Sequence, residues 1–298
     1  MKSLSITPKS PYNIRLHFDR YTSSEPQPYQ YKNGQWWQAF RLKNEKIVPV
    51  QVILNKDIDN PQLTVNIFAN IETKDESEII ERIKRVFNTG YDLKSLYNFM
   101  ENDKRLKALS ENHYGLLPAS FSSVYEATIA TIIQQQISLK IAWHMTALLI
   151  KKFGECIKID DKEFWTFPTP STLANADISE LRKCKLSARK GEYIKDFSEA
   201  VESGKFVPES LRKLSHQEII ECLTQFRGMG RWTAEMVIVT SIGLDGMNVA
   251  GDLGARKAIS HFFNSDKLMP EDEVRKLTDK WGKYKGIITY YYIAEMLR

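Results

Sequence analysis

The sequence predicts an α+β protein in which an N-terminal antiparallel β-sheet domain with flanking helices is followed by an all-α body. Two patterns carry this prediction. The first 70 or so residues alternate apolar and polar side chains, as half-buried strands do. From Glu76 onward, apolar side chains recur every three or four positions, as in amphipathic helices. We therefore expect a mixed domain at residues 1–110 and a helical region at residues 111–298.

The predicted strands are defined by alternation and by turn residues. Strand patterns occupy three segments, residues 12–18, 47–54 and 63–67. Asn33-Gly34 is a two-residue turn signal just before Trp36 and Trp37, which predicts a β-hairpin. We expect both tryptophans to pack against the sheet.

The helical region has clear helix starts. A residue that can cap a helix stands three positions before a glutamate in three pairs, which are Ser123 with Glu126, Asp177 with Glu180, and Ser215 with Glu218. This is capping-box spacing, in which the first side chain accepts a backbone N–H and the carboxylate reaches back. The spacing predicts helices that begin at these three places, and we expect the remainder of the chain to be entirely helical.

Composition excludes several classes of protein. The 298 residues include 42 Lys and Arg against 37 Asp and Glu, a mild excess of the sign that suits a polyanion. The three cysteines lie far apart, which argues against a zinc site, an iron–sulfur cluster or a disulfide scaffold. Neither a signal peptide nor a membrane-spanning segment is recognisable, so we expect a cytoplasmic protein without a membrane partner.

Two glycines between amphipathic segments form a candidate anion site. Gly228 and Gly230 allow a tight turn and a close approach to the bare backbone. Amides after Gly230 would stand at a helix N-terminus, where the dipole favours a phosphate, and Arg231 adds a charge. An ordinary helix–turn–helix connection explains the two glycines equally well.

The wider segments resemble a known family. Phe226-Arg-Gly-Met-Gly-Arg-Trp-Thr-Ala234 is similar to the helix-hairpin-helix of the DNA glycosylase superfamily that also contains endonuclease III. Val249-Ala-Gly-Asp-Leu-Gly-Ala-Arg-Lys257 resembles its catalytic segment, and residues 125–138 resemble the helix and loop that carry its DNA-inserting wedge. The resemblance covers residues from about 120 to the C-terminus and implies two helical subdomains with an active-site cleft between them.

The resemblance implies roles for particular residues. Asp252 would be the catalytic carboxylate, although a helix N-cap is an alternative role that it can combine with catalysis. The DNA backbone would be bound by Gly228, Gly230, Arg231 and Thr233, and the wedge would fall at Gln136 and Ile137. No cofactor and no metal are required, and a monovalent cation at the hairpin carbonyls is optional. The expected partner is damaged double-stranded DNA, with no obligate protein partner and a nucleoid-associated location.

Trp232 distinguishes between branches of the superfamily. Members with lyase activity carry a lysine at this position, and without that amine the expected reaction is hydrolysis by water. Gly-Arg-Trp-Thr-Ala resembles the 3-methyladenine DNA glycosylase II type, which excises alkylated purines such as 3-methyladenine and 7-methylguanine. A flat aromatic pocket suits such cationic purines. We expect it to be lined by Trp232, Tyr125, Met236 and Tyr291.

Two other functions remain open from the sequence. One is an oxidised-base glycosylase of the 8-oxoguanine type with lyase activity, against which Trp232 argues. The other is a non-catalytic DNA-binding protein that keeps the hairpin as a clamp, against which the carboxylate of Asp252 argues. A basic run, Lys183, Lys185, Arg189 and Lys190, is interpreted as a solvated charged face in preference to a DNA contact.

Overall fold

A five-stranded antiparallel sheet forms the N-terminal part of the protein. The computed structural model describes residues 2–21, 23, 25–265 and 267–298. The strands are β1 Lys2–Ile6, β2 Gln30–Lys32, β3 Gln35–Arg41, β4 Ile47–Leu54 and β5 Leu63–Ile67, in the order β1-β5-β4-β3-β2. The strands predicted at residues 47–54 and 63–67 are confirmed.

The hairpin predicted at Asn33-Gly34 is also confirmed. β2 and β3 pair from Lys32 and Gln35, with only the two turn residues between them. Both turn residues have positive φ, 51° at Asn33 and 78° at Gly34, which is the geometry of a two-residue turn that matches the twist of the strands.

The strand predicted at residues 12–18 is wrong. Residues Arg15–Arg20 form the helix α1, and Ile14 and Phe18 are both buried. Positions four apart lie on one helix face as well as on one strand face, so the short alternation fitted both structures. The Phe18 ring stacks on Tyr31 of β2.

Thirteen more α-helices follow in the described part of the chain. They are α2 Thr73–Val86, α3 Leu93–Met100, α4 Lys104–Asn112, α5 Val124–Gln134, α6 Leu139–Phe153, α7 Pro170–Ala174, α8 Ile178–Lys183, α9 Ala188–Glu202, α10 His216–Thr224, α11 Arg231–Val237, α12 Leu253–Phe263, α13 Glu271–Asp279 and α14 Lys285–Met296. The expectation of an entirely helical remainder is wrong in one place, because β6 Cys156–Ile159 and β7 Lys162–Trp165 form a small hairpin. None of the helices described is long and apolar enough to cross a membrane.

Two hydrophobic cores organise the chain. The first combines the sheet and α2–α4 with α12 and α14, and it contains the fully buried Trp36. The second lies among residues 124–247. Trp37 faces the other side of the sheet, where its Nε1 donates to the carbonyl of Glu163 in β7. Because the first core joins the N-terminal domain to the C-terminal helices, the boundary predicted between residues 110 and 111 does not divide the cores.

The three predicted helix starts are confirmed, whereas their capping boxes differ. α10 has the complete box of Ser215 and Glu218. Ser123 accepts the N–H of Glu126 at the start of α5, but the Glu126 carboxylate accepts from the Ser122 hydroxyl instead of closing the box. Glu180 forms ion pairs with Lys152 and Lys183 instead of bonding back to Asp177.

Glu126 predicts a pH dependence of stability. Its side chain is buried, and this burial raises the pKa of its carboxyl to about 7. The folded protein therefore keeps a proton that the unfolded chain releases above its ordinary pKa of 4.5, so stability falls as pH rises from about 4.5 to 7. Glu126→Gln removes this penalty and should stabilise the protein by about 1 to 3 kcal/mol at pH 8 and little at pH 4.5.

Urea unfolding of wild type and variant at the two pH values measures this difference. The substitution Glu111→Gln at an exposed position serves as the control, and it should show no such pH dependence. An equal effect of Glu126→Gln at both pH values would contradict the assignment.

Candidate active site

The hairpin between α10 and α11 is built around two glycines with different environments. Gly228 has φ of +81°, in the left-handed region that favours glycine. A Cβ on Gly228 would lie 2.2 Å from the ring of Tyr193, so the ring packs directly on the backbone. A Cβ built on Gly230 would have no atom of the described residues within 4 Å, apart from Gly230 itself and its neighbours along the chain. The backbone at Gly230 is therefore open to a ligand.

The N-terminus of α11 follows Gly230 directly. The N–H of Ala234 donates to the carbonyl of Gly230, so the amides of Arg231, Trp232 and Thr233 precede the helical hydrogen-bond ladder. The Arg231 side chain is 55% exposed and can reach a ligand there. The prediction that Thr233 binds the DNA backbone is wrong for its side chain, which is buried and whose hydroxyl accepts from Gln135. Only its backbone remains for a contact with DNA.

Asp252 and Trp232 meet in the structure. Asp252 is the N-cap of α12, where its Oδ1 accepts from the N–H of Ala255 at 3.0 Å. Its Oδ2 accepts from Nε1 of Trp232 at 3.3 Å. The capping role weighed for Asp252 is therefore present, and it leaves the second oxygen beside an aromatic ring. Both residues are half-buried, so the carboxylate and the ring border a surface that solvent reaches.

Met236 extends the surface formed by Trp232. It is half-buried and lies four residues further along α11, on the same face of the helix. Thr240, on the turn that continues α11, donates its hydroxyl to the Met236 carbonyl, and the Thr240 carbonyl accepts from the N–H of Phe121. Phe121 also lines a cavity.

The cavity beside Phe121 has four aromatic residues among the ten in its walls. It has a volume of about 60 Å³ and lies between the N-terminal segment and helices α5 and α6. Its walls include Tyr21, Gln27, Tyr29, Phe121, Gln134 and Trp143. Gln134 directly precedes Gln135, which contacts the hairpin, so the cavity borders the C-terminal half of α5. None of the N-terminal residues of this cavity was predicted as a site residue.

Two predicted pocket residues are instead core residues. Tyr125 is only 8% exposed, stacks on Phe197 and shares a hydrogen bond of 2.7 Å with Ser198. Tyr291 is fully buried and donates to the carbonyl of Leu116. Because both rings are packed and both hydroxyls are bonded, neither lines a pocket, and these two assignments are wrong.

The predicted wedge residues form the loop between α5 and α6. Gln136 has a φ of +57°, in the left-handed region, and its side chain is exposed to solvent. Ile137 is half-buried and packs against the second core. Exposure therefore favours Gln136 over Ile137 as the inserting side chain, although the wedge itself stays a prediction.

Gln135 and Lys190 hold this loop in place. The amide of Gln135 donates to the carbonyl of Gly228 at 2.8 Å and to the hydroxyl of Thr233 at 3.0 Å. The ammonium of Lys190 donates to the carbonyls of Ile133 and Gln135 at 2.7 and 2.8 Å, and burial lowers its pKa. Lys190 thus caps the C-terminus of α5. Its assignment to a solvated face is wrong.

Removal of the Lys190 ammonium should loosen the loop. Lys190→Met leaves two carbonyls without their charged donor, so we expect the free energy of unfolding to fall by about 1 to 3 kcal/mol. Thermal melts and binding to abasic duplex DNA measure the two consequences, and both stability and affinity should fall. Arg189→Met removes the same charge from an exposed neighbour, and equal losses in this control would contradict the capping role.

The optional cation at the hairpin carbonyls stays a prediction. The Gly228 carbonyl accepts from Gln135, and the Phe226 carbonyl accepts from the N–H of Met229. Each carbonyl oxygen has two lone pairs, so these bonds leave capacity for a further contact.

The fold and this site define a helix-hairpin-helix DNA repair protein. Comparison with protein families gives the same result, since the model of the HhH-GPD superfamily base excision DNA repair proteins matches residues 129–283. The chain belongs to this family. The predicted class of enzyme, a DNA glycosylase of base excision repair, is thereby confirmed.

The chain is similar to several 3-methyladenine DNA glycosylases. A DNA-3-methyladenine glycosylase of Bacillus subtilis is 26% identical over 237 residues, or 78% of each chain. The solved 3-methyladenine DNA glycosylase of Archaeoglobus fulgidus is 27% identical, with a TM-score of 0.86 over 99% of this chain and 98% of that one. The 3-methyladenine DNA glycosylase of Schizosaccharomyces pombe, solved with abasic DNA, has 27% identity and a TM-score of 0.59, over 67% of this chain and 96% of that one.

Proposed function

We propose that this protein is a monofunctional DNA N-glycosylase that extrudes alkylated purines from duplex DNA and releases them by hydrolysis. The observation that carries the proposal is the hydrogen bond between Nε1 of Trp232 and Oδ2 of Asp252. The carboxylate of Asp252 lies at the edge of the Trp232 indole ring. In the proposed complex, Asp252 faces the sugar and Trp232 faces the base. The substrate class agrees with the names of the relatives.

Binding begins at the hairpin. A phosphate approaches the bare backbone at Gly230, where the amides that start α11 and the exposed Arg231 supply hydrogen bonds and charge. These contacts fix the position of the duplex without reading its sequence. Gln136 then fills the gap left by the extruded nucleotide.

The extruded base stacks on Trp232 and Met236. A purine alkylated at N3 or N7 is cationic, and its stacking on an indole gains about 1 to 2 kcal/mol when water is excluded. We propose that the cavity beside Phe121 completes this pocket, because hydrogen bonds through Thr240 connect the two. Polar groups in the cavity walls that can bond to the edge of the base include the amide of Gln134 and the side-chain oxygen of Gln27, whose Nε2 already donates to backbone carbonyls.

The chemistry requires one carboxylate. The bond between C1′ and the base nitrogen breaks, its electron pair leaves with the base, and the alkylated purine departs as a neutral molecule. Positive charge develops on the sugar, and Asp252 stabilises it electrostatically. Water then forms the new bond at C1′ and loses a proton to Asp252 or to solvent, which yields an abasic site.

Lyase chemistry needs a nucleophilic amine, and the residue beside the Asp252 carboxylate, Trp232, has no amine. This supports hydrolysis over the oxidised-base lyase alternative. The non-catalytic alternative requires an idle Asp252, whereas the carboxylate is held at two points against the hairpin helix and its own helix. A cytoplasmic, nucleoid-associated location and independence from protein partners remain part of the proposal.

A substrate panel tests the proposed specificity. Duplexes that each carry one 7-methylguanine, 3-methyladenine, hypoxanthine or 8-oxoguanine are incubated with excess protein, and free base is measured over time. We expect release of the two methylated bases well above the uncatalysed rate, with 8-oxoguanine left in place. Release of 8-oxoguanine in preference to methylated purines would support the first alternative, and binding without any release would support the second.

A further inference from the structure

α13 packs behind the loop that carries Asp252 and holds it at two points. The amide of Asn248 donates to the hydroxyl of Thr278 at 2.8 Å, and both residues are buried. Glu271 packs directly on Gly251, where a Cβ would lie 2.8 Å from its Oε2. The residue that precedes Asp252 is therefore in contact with a carboxylate of α13.

The same helix also contacts the hairpin through a buried charge. Glu235 of α11 is fully buried, and its Oε1 accepts from Arg231 at 2.8 Å and pairs with Arg275 of α13 at 2.9 Å. A buried carboxylate is stable only when it is paired in this way. Its Oε2 has no hydrogen-bond partner among the described residues, so the two arginines carry the whole compensation.

Arg275 connects the two halves of the site. One terminal nitrogen pairs with Glu235, and the other donates to Glu271 at 2.6 Å. A planar guanidinium holds two carboxylates in a fixed relation, which a flexible ammonium does not. The chain of contacts runs from the hairpin helix through Glu235, Arg275 and Glu271 to the backbone beside Asp252.

We propose that Arg275 is a positioning residue for the reaction, which sets the place of Asp252 relative to the hairpin by bridging Glu235 and Glu271. This inference rests on the proposed function of Asp252. The physical reason is that a carboxylate stabilises a developing cation only when it is already held at the right distance. The hairpin fixes the sugar through the DNA backbone, so Asp252 must be fixed to the hairpin.

The test compares two abasic analogues in the same duplex. A pyrrolidine analogue carries a positive charge near the position of C1′ and mimics the transition state, whereas a tetrahydrofuran analogue is neutral. Preference for the pyrrolidine reports the position of Asp252, while affinity for the tetrahydrofuran reports the rest of the interface. A merely structural loss lowers both affinities together and leaves their ratio unchanged.

Arg275→Gln should lower the ratio of the two affinities about tenfold and slow base release by a similar factor. Its affinity for the tetrahydrofuran duplex should stay within about threefold of the wild-type value. Arg275→Lys should give a ratio between those of wild type and Arg275→Gln, because lysine keeps the positive charge but cannot bond to two carboxylates through a planar guanidinium. Lys276→Gln removes the same charge from an exposed neighbour on α13, and it should leave the ratio unchanged.

Glu271→Gln covers the case in which Arg275→Gln does not fold. Its side chain is 44% exposed, and the pair of Arg275 with the buried Glu235 stays intact in this variant. A lowered ratio supports the proposal, whereas an unchanged ratio in a folded Glu271→Gln or Arg275→Gln protein overturns it. If wild type neither prefers the pyrrolidine nor releases base, the proposed function itself fails and the positioning role fails with it.

Discussion

Replacement of Asp252 by asparagine is expected to slow the release of alkylated base by about two to three orders of magnitude. Asparagine has nearly the shape of aspartate but no negative charge, so the developing positive charge on the sugar loses its partner. The fold should survive, because the asparagine oxygen can still accept from the N–H of Ala255 and cap α12.

Two measurements separate these effects. Single-turnover release of 7-methylguanine reports the chemistry, and affinity for a tetrahydrofuran duplex reports DNA binding, which we expect to change little. Asp103→Asn provides a matched control, because the Asp103 side chain also caps a helix by accepting backbone N–H groups, but it is exposed at the start of α4. Equal rates for Asp252→Asn and wild type would remove the catalytic role from Asp252.

Substitution of the two hairpin glycines by alanine should weaken DNA binding in both cases but affect stability differently. Gly228→Ala is expected to destabilise the protein by about 2 kcal/mol or more, because alanine pays 1 to 2 kcal/mol in the left-handed region before any clash. Its Cβ also meets the Tyr193 ring, and the Arg227 guanidinium lies over that ring at 5.4 Å from its centre. DNA binding should be lost with the geometry of the turn.

Gly230→Ala should leave the protein folded and weaken its hold on DNA. The backbone at Gly230 is extended, and its Cβ would enter open space, so the cost in stability should stay below about 1 kcal/mol. The same Cβ would stand where we place a phosphate, and we expect affinity for abasic duplex DNA to fall about tenfold. Unchanged affinity in a folded Gly230→Ala protein would put the phosphate elsewhere.

Much of the site was predictable because it is local in sequence. The hairpin glycines, Arg231 and Trp232 lie within five consecutive residues, and Asp252 follows in a second short segment of the resemblance. Residue types and spacing were sufficient to predict the open backbone at Gly230. The N-cap role of Asp252 followed equally from its position before an amphipathic segment.

The wrong predictions of site residues concern contacts between residues that are distant in sequence. Tyr125 and Tyr291 were assigned to a pocket on their aromatic character, whereas packing against Phe197 and a bond to Leu116 place them in the cores. Lys190 reaches a carbonyl 57 residues away. No pattern in one sequence reports such a pairing, and a buried ammonium looks the same in sequence as a solvated one.

The polar bridge between Glu235 and Arg275 was missed for a similar reason. Both residues lie on helices whose sequence patterns allow an exposed position, and only tertiary packing shows that Glu235 is fully buried. The failure at residues 12–18 is local instead, since seven residues are too few to separate a strand period from a helix period. The sequence therefore could not show which of these side chains are buried or how they pair.

We propose that this protein releases an alkylated purine by hydrolysis, without a covalent intermediate on the enzyme. The most direct test incubates wild type with a duplex that carries a single 7-methylguanine, in the presence and absence of borohydride, and analyses both the base and the strand. We predict free 7-methylguanine, an intact strand that breaks at the lesion only after heating in alkali, and no protein–DNA adduct. A borohydride-trapped adduct, or a strand cut without alkali, would contradict the account.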